Sequence, residues 1–408
     1  MKTQLAKSVL QLFHEEFDGH LPAYSRQEWE RHYFWLDASG MAIYLLDRLR
    51  SFGLTGRLPD EVHWRLASNC TDNRARTQRL FEEFVLINNR FAELGLRHIN
   101  LKGFTLLPVA VQDPSLRFQD DLDFMIPRCE VLRVKEALEN FGYHLYHAGA
   151  SVWEFKTGTG TVTALKDRYR QHAQRSIDIH LLSPDSSADS SLLDRVQMQH
   201  WNGYAFPALS ETDKFIALAE HLFRHMRGEW TRLSWVVEFK RLLIARRDDA
   251  SFWQGIRYAV SRLPRAATAI GASILIADTV LGDCIPPEMS RWVDSRVPSP
   301  VRIWIERYSE AVLLSDFPGT KLYLLLEEAI AEDGPELRDF RRKKLLPLHS
   351  AARIVHGVPA KDSLRLRIGR MHLQLRFTVF RLRFHLVQGV RYLREAQRWK
   401  RIAALPQG

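Results

Sequence analysis

Asn100–Pro127 reads NLKGFTLLPVAVQDPSLRFQDDLDFMIP, and at its centre Asp121-Leu122-Asp123 sets two carboxylates two residues apart beside an apolar segment, Leu122–Ile126, suited to a buried strand. Alternate side chains of a strand share a face, so Asp121 and Asp123 project the same way from neighbouring pleats. Carboxylates packed side by side repel, and the repulsion is relieved by a raised pKa on one of them or by a bound cation. Hard oxygen ligands favour Mg²⁺, which takes one or two protein carboxylates and leaves its other positions to water and phosphate oxygens.

Working outward, Leu101-Lys102-Gly103 ends an apolar run, His98–Leu101, and opens a helix-like run, Phe104–Val111. A strand–Gly–helix junction of this kind lets backbone approach a phosphate and aims helix amides at it. Downstream, Ser176–Leu182 reads SIDIHLL, with Asp178 and His180 on one face and Ile177 and Ile179 on the other. If this strand neighbours the first, Asp178 completes a two-metal site or serves as base for an attacking hydroxyl. An Asp-x-Asp by itself also occurs in turns and at strand ends, so the junction and the third acid carry the reading toward phosphoryl or nucleotidyl transfer.

Lys102-Gly103, then Arg117, then Asp121-Leu122-Asp123, then a short helix ending in Phe141-Gly142-Tyr143, then Asp178-Ile179-His180, resembles the uncharacterised nucleotidyltransferase family of the polymerase-beta-like nucleotidyltransferase superfamily. In that family a Leu-Lys-Gly junction precedes an Arg four residues before the Asp-x-Asp strand, and an Asp-x-His follows. The resemblance continues more faintly through Glu211–Leu243, at His221, His225, Arg232-Leu233-Ser234-Trp235 and Glu238, and spans roughly residues 85–260. It implies an α+β fold in which a small mixed β-sheet core is flanked by extensive N- and C-terminal helical regions. It further implies Asp121, Asp123 and Asp178 as catalytic metal ligands for Mg²⁺ or Mn²⁺, with a nucleoside triphosphate as donor. Lys102, Gly103, Thr105 and Arg117 fall on the nucleotide side, and His180, His221, His225 and Arg232 in the substrate cleft. Where the superfamily cradles the triphosphate with a Gly-Ser pair, this chain has Gly103-Phe104, with Thr105 the nearest hydroxyl, and its Gly103-to-Asp121 gap is longer. Lys102 and Arg117 either supply positive charge to phosphate, Arg by a bidentate grip, or form salt bridges to the acidic cluster.

With 408 residues, 46% hydrophobic and 26% charged, the chain has material for two or three domains. Cys70, Cys129 and Cys284 lie far apart with no C-x-x-C partner, which argues against a zinc site or a disulfide framework and fits a reducing cytoplasm. MKTQLAKSVLQLFHEEF does not read as a signal peptide, and no apolar run reaches membrane-span length. The net charge of +10 is local: 361–401 holds twelve Lys and Arg against Asp362 and Glu395, which leaves the remainder close to neutral.

In chain order, the spacing predicts helices over Leu5–Phe17, from Ser39 or Gly40 to Phe52, and from about Asp60 to Leu94. The core follows with strands His98–Leu101, Leu122–Ile126, Tyr143–His147, Val152–Lys156 and Ile177–Leu182, helices Gly103–Val111 and Glu130–Asn140, and a hairpin through Gly158-Thr159-Gly160 into a return strand. Lys166–Arg175, KDRYRQHAQR, reads as a solvated loop or as a grip on an anionic acceptor. Residues 183–191, SPDSSADSS, read as a linker. Helices then follow over Glu211–Met226, Arg232–Ala245, Phe252–Leu263, Ala266–Val280, Val301–Ser315 and Leu322–Ala331. His221 and His225 have metal-gripping spacing, but Leu222 stands where a zincin carries Glu, so a polar contact to substrate or to a neighbouring helix is preferred. The expected division is a helical region over 1–85, a catalytic core over 86–183, a cleft-completing helical domain over 192–285 and a C-terminal helical region over 301–408.

From Leu373 onward, Leu373, Phe377, Phe380, Phe384 and Val387 form one helical stripe, and Leu375, Val379, Leu382, Leu386, Val390 and Leu393 an adjoining one, flanked by Arg376, Arg381, Arg383, Arg391 and Arg394. Such a helix lies on an anionic membrane surface, binds a protein partner or packs on its own domain. Nucleic acid is less favoured, since the aromatics are Phe at core-like spacing. The expected activity is metal-dependent transfer of a nucleoside monophosphate from a triphosphate to an unknown acceptor hydroxyl, by a protein in the cytoplasm or peripheral at the inner membrane surface. The alternative is a catalytically inactive nucleotide- or anion-binding scaffold that docks partners or membrane through its basic helix.

Overall fold

Strand β2, Asp121–Pro127, alternates between two environments: Leu122, Phe124 and Ile126 are buried on one face, while Asp121, Asp123 and Met125 point to the other. This is the period of a strand packed on a helix on one side and lining a cleft on the other. In the computed structural model, which describes residues 3–158, 168–170, 175–182, 192–331, 334–346 and 364–403, that strand sits at the centre of a seven-stranded mixed sheet. The other strands are β1 (Ile99–Leu101), β3 (Tyr143–Ala148), β4 (Val152–Thr157), β5 (Ser176–Leu182), β6 (Gln197–Trp201) and β7 (Tyr204–Ala208). Their order is β3-β4-β5-β2-β1-β7-β6, with β2 parallel to β5 and antiparallel to β1.

Helices surround the sheet, which makes the fold the expected α+β type. Before β1 come α1 (Thr3–Gln11), α2 (Arg26–Ala38), α3 (Met41–Ser51) and α4 (Asp60–Glu93), and after β2 comes α5 (Val131–Glu139). Beyond the sheet lie α6 (Glu211–Met226), α7 (Leu233–Ala245), α8 (Ala250–Ala259) and α9 (Pro264–Leu281), followed by α10 (Ser290–Arg296), α11 (Ser299–Leu313), α12 (Tyr323–Ile330), α13 (Pro335–Leu345) and α14 (Leu364–Ala403). Helix α9 is long and apolar enough to cross a membrane by length and composition, but 72% of it is buried, the state of a core helix.

The 34-residue α4 covers the apolar face of the sheet, opposite the carboxylates. Its Phe84 and Phe91 meet Phe124 of β2 at ring-centroid distances of 6.4 and 5.4 Å, and Phe84 meets Phe206 of β7 at 5.0 Å. Asn88 of α4 and Asn100 of β1 exchange side-chain hydrogen bonds at 2.7 and 3.2 Å, and Asn100 donates on to the Pro207 carbonyl at 2.8 Å. One buried amide pair thus ties helix α4, β1 and β7 together. The same helix holds the approach to β2, for Asn73 donates to the carbonyls of Ser115 and Arg117, and Arg76 donates to that of Gln119.

Two expectations change: α9 has the length and composition of a membrane span where none was expected, and the helix over Phe104–Val111 is absent. Phe104–Val111 is not an α-helix: a 3-10 turn over Gly103–Leu106 ends at once, because Pro108 has no N–H to donate and disfavours helical backbone at Leu107. The junction after β1 therefore offers a short turn to a ligand rather than a helix end. Helix α2 and the β6–β7 hairpin were not anticipated. The first opens on a capping box between Ser25 and Glu28, and the second turns through Asn202-Gly203, both at positive φ, which matches a type I′ turn. The linker over 183–191 and most of the stretch expected to hold a return strand after Gly158 lie outside the described residues, and 168–170 within it form a turn and bend.

Replacing Asn100 by Leu takes one buried partner from the Asn88 amide, which keeps Phe84 and His98, and removes the side-chain donor from the Pro207 carbonyl. Chemical denaturation of the variant is expected to show a loss of about 1–3 kcal/mol, whereas a change under about 0.5 kcal/mol means that the amide pair contributes nothing.

Candidate active site

Strands β2 and β5 run parallel with Asp123 beside Asp178 and Met125 beside His180. That register brings the two halves of the sequence pattern together. One donor atom each of Asp123, Asp178 and His180 lies within 4.8 Å of the others. Asp121 stands one pleat away on the same face, beside Ser176.

Asp123 is buried, and its Oδ1 accepts from Lys102 Nζ at 2.7 Å and from His180 Nε2 at 3.0 Å. Burial alone would raise its pKa, but the His180 and Lys102 interactions outweigh burial and hold it down at about 2. Asp121 goes the other way: burial, then the charge of Asp123, pushes it up to about 6. Asp178 is raised too, by burial first and Asp123 second. Three carboxylates on one face are thus countered in part by a lysine and a histidine.

Lys102 reaches Asp123 from a strained backbone, with φ 48° at a residue that is not glycine. Gly103 follows at φ 46°, and a Cβ there would come within 2.3 Å of Gln119 Nε2, which donates to the Asp121 carbonyl at 2.8 Å. The positive φ favours glycine at this position, and Gln119, packed against it, holds the backbone of the first acid.

A cleft of about 420 Å³ opens beside the acids, none of which is among its described lining residues; its walls include Lys102, Thr105, Met125 and His180 from the sheet side and Lys214 and His221 from α6. His221 and His225 meet each other at a centroid distance of 4.4 Å and Trp235 of α7 at 4.8 and 4.5 Å, edge-on or tilted, and Arg224 donates to His221 Nδ1 at 3.1 Å. Burial, then nearby cations, lowers His221 to about 2 and His225 to about 4, so both are neutral imidazoles. Arg232 donates to Asp120 at 2.8 Å and lies 5.4 Å from the Trp235 ring.

Arg117 does not reach the acid cluster. Its Nε lies 3.2 and 3.3 Å from the two oxygens of Glu238 on α7, and Tyr44 donates to the same carboxylate at 3.1 Å. Of the two roles expected of Lys102 and Arg117, both residues take an ion pair here, only Lys102 with the acids. The Arg-rich segment is spent similarly: Arg168 pairs with Asp120 at 3.2 Å and Arg175 with Glu83 at 2.7 Å, while 166–167 and 171–174 lie outside the described residues. Sequence reasoning missed Asp120, which collects Arg168 and Arg232, and Gln119, which props Asp121. The doubled acid at Asp120-Asp121 was the signal for the first; the second had none.

The sequence profile of a family described as "Uncharacterised nucleotidyltransferase" matches residues 25–282. The chain belongs to that family. For this nucleotidyltransferase-family protein the match begins in α2 and ends beyond α9, well outside the 85–260 span of the motifs, so the helices that brace the sheet belong to the family's unit. Among solved structures it is similar to an antigenic nucleotidyltransferase-like protein from Paracoccidioides brasiliensis, at 9% identity and a TM-score of 0.28 over 46% of this chain and 89% of that one. None of the curated proteins matches it significantly.

Glu238→Ala leaves the Arg117 guanidinium buried without its partner and is expected to cost about 3–5 kcal/mol in unfolding free energy, most of it recovered when Arg117→Met is added. A single variant as stable as the parent would show that the pair is not a buried charge couple. The histidines give a pH test. Their folded pKa values lie below the unfolded value of about 6.5, so as pH falls through 6.5 the unfolded chain takes up protons that the folded chain refuses, and stability drops. The thermal midpoint of the parent is expected to fall more steeply between about pH 6.5 and 4.5 than that of a His221→Gln/His225→Gln variant; parallel profiles would show that these imidazoles are not held neutral.

Proposed function

We propose that this protein transfers a nucleoside monophosphate from a nucleoside triphosphate to an acceptor hydroxyl. The single observation that carries the reading is the in-register pairing of Asp123 with Asp178, with Asp121 on the same face, inside a nucleotidyltransferase-family chain. The donor set suits a divalent cation, Mg²⁺ or Mn²⁺: Asp123 and Asp178 offer oxygens in mutual reach with His180 beside them, and Asp121 adds a carboxylate one pleat on. Such a cation, when bound, neutralises triphosphate charge and stabilises the leaving pyrophosphate.

The remaining roles fall to side chains of the chain. Asp178, its pKa raised by burial, accepts the proton of the acceptor hydroxyl. The hydroxyl oxygen forms its bond to the α-phosphorus as the bond from that phosphorus to the bridging oxygen breaks, and pyrophosphate leaves with the electron pair. Lys102, now paired with Asp123, is placed to turn its ammonium toward phosphate once another cation takes that carboxylate. His180, His221 and Thr105 line the cleft where substrate would lie, while Arg232, His225 and Arg117 hold its walls through Asp120, Trp235 and Glu238. The free thiols, with Cys129 exposed, support a reducing cytoplasm as the setting.

Thermal unfolding of the parent and of an Asp121→Asn/Asp123→Asn variant, each against a panel of nucleoside triphosphates with and without Mg²⁺, tests the reading. A nucleotide at ~100 times its dissociation constant is expected to add about 2.7 kcal/mol to the parent only, and only with the metal. Pyrophosphate release with a cell extract as acceptor source is expected from the parent and not from the variant. Metal-independent binding without pyrophosphate release would favour the non-catalytic scaffold.

A further inference from the structure

The C-terminal helix Leu364–Ala403 is attached to the body of the protein along one edge. Phe384, Tyr392 and Trp399 are buried, Arg381 donates to Glu229 at 3.1 Å, and Glu395 accepts from Tyr308 at 3.2 Å. These positions recur at helical spacing and account for one face. Among the described residues, none covers the opposite face.

On that face Ile368, Met371, Leu375, Val379, Leu382, Leu386, Val390 and Leu393 are all exposed, Met371 at 72% and Leu386 at 63%. Their spacing is three, four, four, three, four, four, three, an eleven-residue period of about 3.67 residues per turn. So close a match to the α-helical repeat keeps the stripe on a nearly straight line about 37 Å long. Exposed Arg376, Arg383 and Arg394 run along one side of it. A stripe of this extent, unbroken by polar residues, is far outside the scattered apolar exposure of a free surface.

We propose that this stripe seats the protein on an anionic lipid surface, with the apolar side chains in the acyl boundary and the arginines among the headgroups. Charge decides the occupant. Glu395 is the one acid of Leu364–Ala403, and it is engaged inward with Tyr308. A second copy laid on the stripe would set arginine against arginine with no carboxylate to pair them, whereas acidic headgroups complement the basic flank as the acyl region takes up the stripe. The straight stripe suits a flat boundary, and its outward face leaves the contacts through Arg381, Tyr392 and Trp399 intact. This inference does not depend on the activity proposed above.

The full chain is sedimented with vesicles of phosphatidylcholine alone and of phosphatidylcholine mixed with phosphatidylglycerol, beside a Met371→Glu/Leu382→Glu/Leu386→Glu variant and an Arg376→Glu/Arg383→Glu/Arg394→Glu variant. All six positions are exposed, so both variants are expected to keep the parent's thermal midpoint. The parent is expected to bind mixed vesicles, and each variant to bind about tenfold or more weakly, with parent binding weakened by salt and small on phosphatidylcholine alone. Failure of the parent to sediment with mixed vesicles overturns the proposal, as does equal binding by the stripe variant. So does a dimer of the parent, lost in the stripe variant and unable to bind vesicles, because the occupant would then be a second copy.

Discussion

Negative charge concentrated on two neighbouring parallel strands is the constraint that the surrounding structure answers. Asp121, Asp123 and Asp178 share one face of the sheet, and burial makes their mutual repulsion costly. Lys102 accepts a strained backbone to bring its ammonium to Asp123, and His180 comes from the next strand to the same oxygen. These neighbours leave Asp123 firmly ionised and Asp121 close to the point of protonation. Asp123, Asp178 and His180, with their donor atoms in mutual reach, form a set that could hold a divalent cation.

Rigidity around that charge comes from the other side of the sheet. Helix α4 packs its phenylalanines on the apolar face of β2, shares an amide pair with β1 and clasps the carbonyls of 115–119 through Asn73 and Arg76. The helix whose phenylalanines pack on β2 therefore also holds the residues that lead into it. Ion pairs do the same work on the cleft side, with the buried Arg117 to Glu238 and the half-exposed Arg232 to Asp120 fixing helix α7 and its approach against the loop before the acids. Arginines that resemble phosphate ligands in a sequence are here positioning residues, Arg117 on Glu238 and Arg168 and Arg232 together on Asp120.

The basic C-terminal helix is a separate matter physically. It adds little to the main core beyond Phe384, Tyr392 and Trp399, and it carries the chain's whole formal excess of positive charge. Its inner edge is protein-like and its outer edge is not, so one element divides its two faces between the fold and an outside surface.

What the sequence by itself determined is local and periodic. Period-two burial placed Asp121 with Asp123 and Asp178 with His180, and helical spacing placed His221 near His225 and foretold the length of α4. These follow from pattern alone because side-chain direction is set by backbone geometry within a few residues. Two further signals of this kind went unread, the Ser25-to-Glu28 capping box and the Asn202-Gly203 turn, and both proved true to type. Pro108, also visible, was enough to refuse the helix expected over Phe104–Val111. Only the tertiary structure decided which strands lie side by side, that Arg117 meets Glu238 rather than the acids, that Asp120 gathers Arg168 and Arg232, and which face of the last helix stays bare. Each of these joins residues far apart in the chain, and their pairing depends on how helices and strands pack, a choice that no local pattern encodes.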